Sequence, residues 1–195
     1  MSVELGMFEG YLMAVNIIGF ILYGINTLLY RFTENAQIDT ILTITSLLGG
    51  SVGIVLCILL FDRKSVKDNM MSRVFVACIC VIQIIGYLFL KGQRGQEITF
   101  AFWEFFGKHK FLIIYLIAIN VATLKAFGVD KINAVEHRGR IRIITLLGMA
   151  FAGGSIGGLI AMYAFRHKTK KDYFTVGIPL IMIMQAVVIF YLMNL

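Results

Sequence analysis

The chain has 195 residues, of which 59% are hydrophobic and 15% charged, with a mean hydropathy of +0.85 and a single proline. A soluble domain of this size leaves too much surface exposed to hide so much apolar side chain, so part of its solvent is lipid. The net charge of +7 does not read as a nucleic-acid footprint. The lysines and arginines sit in short clusters between apolar runs, where they flank membrane spans or meet anionic lipid headgroups.

A helix needs roughly 20 mostly apolar residues to cross a bilayer. The chain opens with Glu4 and Glu9 and no basic stretch, so its first apolar run is expected to remain as a span rather than be cleaved as a signal. That run, Gly10 to Tyr30, is interrupted only by Asn16 and Asn26. Ile41 to Phe61 and Val74 to Leu90 follow without a charge. The stretch from Phe111 is apolar to Leu124 and then meets Lys125. A lysine can snorkel along its aliphatic stem, which predicts a fourth helix over Phe111 to Val129. Ile143 to Phe165 and Tyr173 to Asn194 complete the set. The fold class is therefore all-α integral membrane, with six transmembrane helices. Between the third and fourth, Glu97 to Gly107 is too short to span and carries Trp103 beside Glu104. Such aromatic residues favour the headgroup level, so a short interfacial helix is expected there, a re-entrant loop being the alternative.

Matching polar residues recur at an offset of 104 positions. Tyr11, Ala14 and Asn16 match Tyr115, Ala118 and Asn120; Gly49-Gly50-Ser51-Val52-Gly53 matches Gly153-Gly154-Ser155-Ile156-Gly157; and Phe61, Lys64, Lys67 and Asp68 match Phe165, Lys168, Lys171 and Asp172. After a slip of two residues, Gln83 faces Gln185. Apolar matches arise by chance between any two membrane helices, but identical asparagines, serines and lysines at one offset do not. Two three-helix repeats are expected, over residues 1–91 and 111–195, joined by a connector over 92–110. Three spans per repeat is an odd number, so the second would enter from the opposite side as an inverted repeat. The halves would be parallel if the Trp103 segment or the fourth helix behaves otherwise. Lysines and arginines assigned to alternating sides tie at nine each, so the inside bias sets no orientation.

The Gly-Gly-Ser-x-Gly motifs fall near mid-span, where small residues let helices approach closely. A second use is that Ser51 and Ser155 line a midplane site. Gln83, Gln185, Asn16 and Asn120 need partners in hydrocarbon and should face inward. They serve either as interhelical glue or as a polar file. Lys64, Lys131, Arg140, His167, Lys168 and Lys171 are candidates for anion or lipid contact. A full crossing by the fifth helix would put Asp130 and Lys131 on one face and His167 on the other, excluding a shared active site. No metal-ligand spacing, catalytic motif or cofactor loop emerges. Cys57, Cys78 and Cys80 lie in apolar runs and read as inert thiols.

The order Asn120, Gly128, Asp130-Lys131, Ala134, Arg140-Ile141, Gly153 to Gly157, His167 to Lys171 and Phe174 resembles the bacterial membrane family called domain of unknown function 1294, over about Phe111 to Leu195. That family often shows Pro-Glu after the Arg-Ile pair. Arg142 and Ile143 stand there instead, so no role for that glutamate carries over. The first half looks like a diverged copy, with Arg63 where the second has His167. Some relatives carry an added cold-shock domain, which these residues do not contain, so a nucleic-acid partner is not expected. The resemblance implies a bacterial cytoplasmic membrane but no activity. Three readings stand beside one another: a small transporter or channel between the halves, a lipid-binding or scaffold subunit, and a membrane enzyme acting on a lipid. A homodimer or partner subunit is compatible with each.

Overall fold

The computed structural model describes residues 2–32, 39–62, 70–92 and 98–195. Among the described residues, six helical segments are long and apolar enough to cross a membrane, namely Gly6–Leu29, Thr40–Phe61, Met70–Gly92, Lys110–Val135, Ile143–Ala164 and Asp172–Met193. This is the pattern of a multi-pass membrane protein. Lys125 does not interrupt the fourth of these, which runs unbroken through it. The chain divides into two compact units, Met1–Ile84 and Ile85–Leu195.

Unit 2 is built on α6 (Lys110–Val135). Its polar and buried residues, Asn120, Thr123, Phe127 and Asp130, recur at helical spacing along one face, whereas Ile114, Ile117 and Val121 are exposed. This is the reverse of a soluble amphipathic helix, because the outer solvent here is hydrocarbon. The next apolar run is not one straight helix. It comprises α7 (Ile143–Met149) and α8 (Ser155–Ala164), and between them Gly153 takes a left-handed φ of +123°. That conformation is cheap only for glycine.

The chain reverses at this point. Tyr115 pairs with Ala152, Asn120 with Gly157 and Asp130 with His167, all at one constant separation of 37 residues. A constant difference in number means that α6 and α8 run parallel. A straight helix returning from the end of α6 would be antiparallel to it. Moreover, Ile141 and His167, which flank the run, both bond to the single carboxylate of Asp130. Twenty-two residues of straight helix would separate them by about 33 Å. Ten residues of α6 separate Asn120 from Asp130, about 15 Å at helical rise, so the turn stands from the mouth of the hairpin by about half the ~30 Å thickness of a hydrocarbon layer.

The expected placement of Asp130 and His167 on opposite faces is therefore overturned. The segment enters, turns at Gly153 and leaves by the side it came from. The inference of three crossings per repeat loses its premise with it. Beyond the hairpin come α9 (Asp172–Thr175) and α10 (Gly177–Met193). Phe174 packs edge-on against Phe127 at 5.5 Å between centroids, and both are fully buried with Leu146, Met162, Ile178 and Ile181. Ahead of α6 lies the short helix α5 (Phe102–Lys108), in the region expected to hold one. Trp103 is 93% exposed on it, and Lys108, 2.7 Å from Glu104, holds that carboxyl below the usual carboxylate range. Asn194 at the end of α10 accepts from the Thr99 amide at 2.7 Å and donates to its carbonyl at 3.2 Å.

Unit 1 follows the same logic with α1 (Ser2–Phe32), α2 (Asp39–Thr45), α3 (Ser51–Phe61) and α4 (Met70–Gly92). Gly49 has a φ of +116°. Tyr11 pairs with Leu48 and Asn16 with Gly53, again 37 apart, so α1 and α3 run parallel. Leu42 before the turn and Cys57 after it share a buried cluster with Tyr23, Ile54 and Val76. Cys57, Cys78 and Cys80 are free and buried.

Close helix approach depends on particular glycines. A Cβ at Gly157 would strike the carbonyl oxygen of Asn120, whereas one at Gly148 would meet nothing within 4 Å. Gly157→Ala is expected to destabilise the fold by about 2 kcal/mol through overpacking. Gly148→Ala should be neutral or stabilising by up to ~1 kcal/mol, from helix propensity. Thermal unfolding of the purified variants in detergent micelles separates the two, and equal melting temperatures would contradict the close approach.

Candidate functional site

Unit 2 holds two polar constellations, one at the tip of the hairpin and one at its mouth. At the tip, a chain leaving helical geometry inside hydrocarbon frees carbonyls that lipid cannot satisfy. Side chains from both neighbouring helices take up these groups. Gln185 on α10 donates through Nε2 to the carbonyls of Ala150 at 2.7 Å and Phe151 at 3.1 Å. Its Oε1 accepts from the Ser155 hydroxyl at 2.5 Å. From α6, Tyr115 donates its hydroxyl to Ala152 O at 2.5 Å, and Asn120 donates to Gly153 O at 2.9 Å. Asn120 Oδ1 then accepts the amide of Gly157 at 2.7 Å. Gly154 is required here as well, because its missing Cβ leaves room for Thr123.

In unit 1, Gln83 donates to Ser46 O at 2.6 Å and Leu47 O at 3.2 Å, and accepts from Ser51. Tyr11 donates to Leu48 O at 2.9 Å, and Asn16 Oδ1 accepts from Gly53 N at 2.8 Å. The six residues expected to line a pathway thus fall into two sets, Asn16, Ser51 and Gln83 in unit 1 and Asn120, Ser155 and Gln185 in unit 2. Each set clips its own hairpin tip, and within it each side chain is hydrogen-bonded.

At the mouth of the unit 2 hairpin, Asp130 is completely buried. Its Oδ1 accepts the backbone amide of Ile141, entering α7, at 2.9 Å. Its Oδ2 lies 2.8 Å from His167 Nε2 and 2.7 Å from Lys168 Nζ, both just beyond α8. One carboxylate therefore ties together both ends of the hairpin and the long helix, with charge-assisted bonds stronger than neutral ones. The Lys168 ammonium also sits 4.9 Å from the Phe174 ring centroid, a cation–π contact.

The local chain is shaped to deliver these two residues. After α8, the amide of Arg166 bonds to Tyr163 O and that of His167 to Met162 O. These are the paired bonds of a Schellman cap. Arg166 fills the left-handed position where glycine is usual, at φ +45°, and Lys168 is left-handed too, at +65°. Two non-glycine residues in that region represent strain that the surrounding contacts must hold.

His167 and Lys168 therefore point inward to Asp130 rather than outward to an anion, which corrects their expected role. Arg140 and Lys171 are exposed and Lys131 is half-buried, while Lys64 lies outside the described residues. A carboxylate beside an imidazole is the orienting half of a nucleophilic dyad. Here, however, Lys168 shares the same oxygen, and among the described residues no hydroxyl or thiol bonds to the imidazole. No His, Cys, Asp and Glu cluster among the described residues could hold a metal ion.

Asp130→Asn keeps an acceptor for Ile141 but leaves the Lys168 charge without its counter-ion. Removing one partner of a buried pair typically costs 3–5 kcal/mol, so a loss of about 3 kcal/mol is expected in denaturant unfolding. Adding Lys168→Met to it should recover part of that loss. Unchanged stability of the single variant would show that the carboxylate is not holding the hairpin.

The family model described as "Protein of unknown function (DUF1294)" matches residues 120–174, the stretch that begins at the clip residue Asn120 and ends at Phe174. Over 75 residues the chain is 37% identical to the Uncharacterized protein YsdA of Bacillus subtilis (strain 168), which is 38% of this chain and 84% of that relative. No solved structure matches significantly. Through these residues the chain belongs to the family described as Protein of unknown function (DUF1294).

Proposed function

We propose that the protein is a small membrane transport module of the bacterial cytoplasmic membrane, in which the broken hairpins form the polar lining that an ion or small polar solute passes. The observation that carries this reading is the interruption of the helix at Gly153, about half a hydrocarbon thickness from the mouth, with polar side chains gathered around it. Irregular backbone at that depth is tolerated only where protein buries it or where it lines a watery cavity. Transporters use discontinuous helices in the first setting to build the second. The tip combines two amides, a hydroxyl, a phenol and backbone carbonyls within hydrogen-bond reach of one another. Such a group can trade its internal bonds for bonds to a passing solute at little net loss.

The two units are read as copies of one ancestral module. In support, Tyr, Asn, Gly and Ser stand at one offset of 104 and make the same bonds to the same relative positions, and Gln83 and Gln185 do so after the two-residue slip. The hairpins leave two crossings per copy, so the crossing count no longer demands that the second copy be inverted.

Proteoliposomes loaded with pH-, potassium- and sodium-sensitive dyes test transport directly. The wild-type chain should raise at least one flux above that of empty vesicles. Gln185→Leu, which removes the clip's amide while keeping its bulk, should change that flux by about tenfold or more, equivalent to about 1.4 kcal/mol in the barrier. Absence of any flux across a wide panel of ions and small solutes would overturn the reading.

A further inference from the structure

We infer that the hairpin mouth of unit 2 faces the cytoplasm and seats the headgroups of anionic phospholipids. This holds whether or not a solute passes through the protein. The inference begins with the reversal at Gly153. Because the segment returns to its own side, the basic residues before it and after it lie at the same end of the unit. Nine lysines and arginines of the described residues belong to that end, from Lys125 through Arg142 and from Arg166 through Lys171. At the other end the described residues hold three, Lys91, Lys108 and Lys110. Positive charge near span ends marks the cytoplasmic side, and nine against three gives the sign that a tie could not.

The side chains then divide by task. Lys168 turns inward and neutralises Asp130, and His167 turns inward to the same carboxylate oxygen. Arg140, Arg142, Arg166, Lys170 and Lys171 are exposed. The acids at this end are few: Glu136 is already 3.0 Å from Arg138, and Asp172 is exposed at the start of α9. Five outward cations therefore face the layer where anionic headgroups lie, next to exposed apolar residues such as Ile144 and Val176 that suit acyl chains. A cationic rim on an apolar wall is the complement of an anionic lipid, not of a free anion, which would need an enclosed cradle.

Two measurements on the full-length protein test this. In a background with Cys57, Cys78 and Cys80 changed to alanine, Arg140→Cys and Lys170→Cys should both react with a membrane-impermeant maleimide in inverted vesicles and be protected in spheroplasts. Lys108→Cys should show the opposite pattern. Labelling of Arg140→Cys and Lys170→Cys from opposite sides, or of both from outside, would overturn the inference.

In native mass spectrometry from equimolar phosphatidylglycerol and phosphatidylcholine micelles, the wild-type protein should retain phosphatidylglycerol preferentially. Arg140→Gln with Arg142→Gln should cut that preference roughly twentyfold, at about fivefold per cation. Lys108→Gln with Lys110→Gln should leave it unchanged. Equal retention of the two lipids, an undiminished preference in the arginine variant, or complete displacement by inorganic phosphate would each count against a headgroup site.

Discussion

A polypeptide that leaves helical geometry inside hydrocarbon must find a protein partner for every amide and carbonyl it exposes, because lipid offers none. The turn at Gly153 exists under that constraint, and most of the polar chemistry of unit 2 follows from it. Gln185, Tyr115 and Asn120 supply donors to four successive carbonyls, Ala150 to Gly153. Ser155 and the Gly157 amide are satisfied in return. The glycines are the other half of the same requirement. Gly153 permits the left-handed residue, while Gly154 and Gly157 let Thr123 and the Asn120 backbone come close enough for these bonds to form. A clip of this kind is specific in a way that apolar packing is not, because a one-residue slip would orphan several groups at once.

The mouth of the hairpin is governed by charge rather than by amides. A re-entrant segment has two free ends on one side of the membrane, and nothing in its hydrophobicity keeps them together. Asp130 does so with a bond to each end. The left-handed backbone at Arg166 and Lys168 is explained by this demand. The chain must stop α8, turn and aim two consecutive side chains at one buried carboxylate, and the charge-assisted bonds hold the strained conformation in place.

Much of this was legible in the residues, but not its geometry. The apolar runs stand out because lipid demands them, and the matched asparagines, serines and glutamines stand out because lipid punishes them. The reversal did not stand out. A window over Ile143 to Ala164 has the same length and hydropathy whether the chain crosses or dips to the centre and returns. The useful signals were indirect: paired glycines at mid-run, basic residues at both ends of one apolar segment, and a tie in charge between the sides of a six-crossing assignment. The face of α6 that carries Asn120, Thr123, Phe127 and Asp130 was also readable at helical spacing, as was the corresponding face of α1 with Asn16, Gly19 and Tyr23. That one inward stripe of α6 serves both the tip and the mouth of the hairpin. His167 and Lys168 looked like loop cations because no sequence pattern shows that a turn points inward.

The two units satisfy the requirement at the mouth with different side chains. In unit 2 the acid is on the long helix and the cations follow the hairpin. In unit 1 the position equivalent to Asp130 is Asn26, and the acid is instead Asp62, just beyond α3. It accepts from the Tyr23 hydroxyl at 2.9 Å and pairs with Arg73 at 2.7 Å. The partner on the long helix is here a tyrosine and the cation lies on α4, but a carboxylate again joins the outgoing end of the hairpin to the long helix. The two mouths therefore share the link and not any one side chain. The tip tolerates less: its donors and acceptors must meet backbone groups whose positions the turn dictates, and there Tyr, Asn, Gly, Ser and Gln stand in both units. The Asp62 side chain is 22% exposed where that of Asp130 is wholly buried, so its charge pair is more strongly screened by solvent and holds its hairpin less firmly. The tighter of the two mouths lies in the unit that carries the family's residues, and its Asp, His and Lys are the ones that need each other to be buried at all.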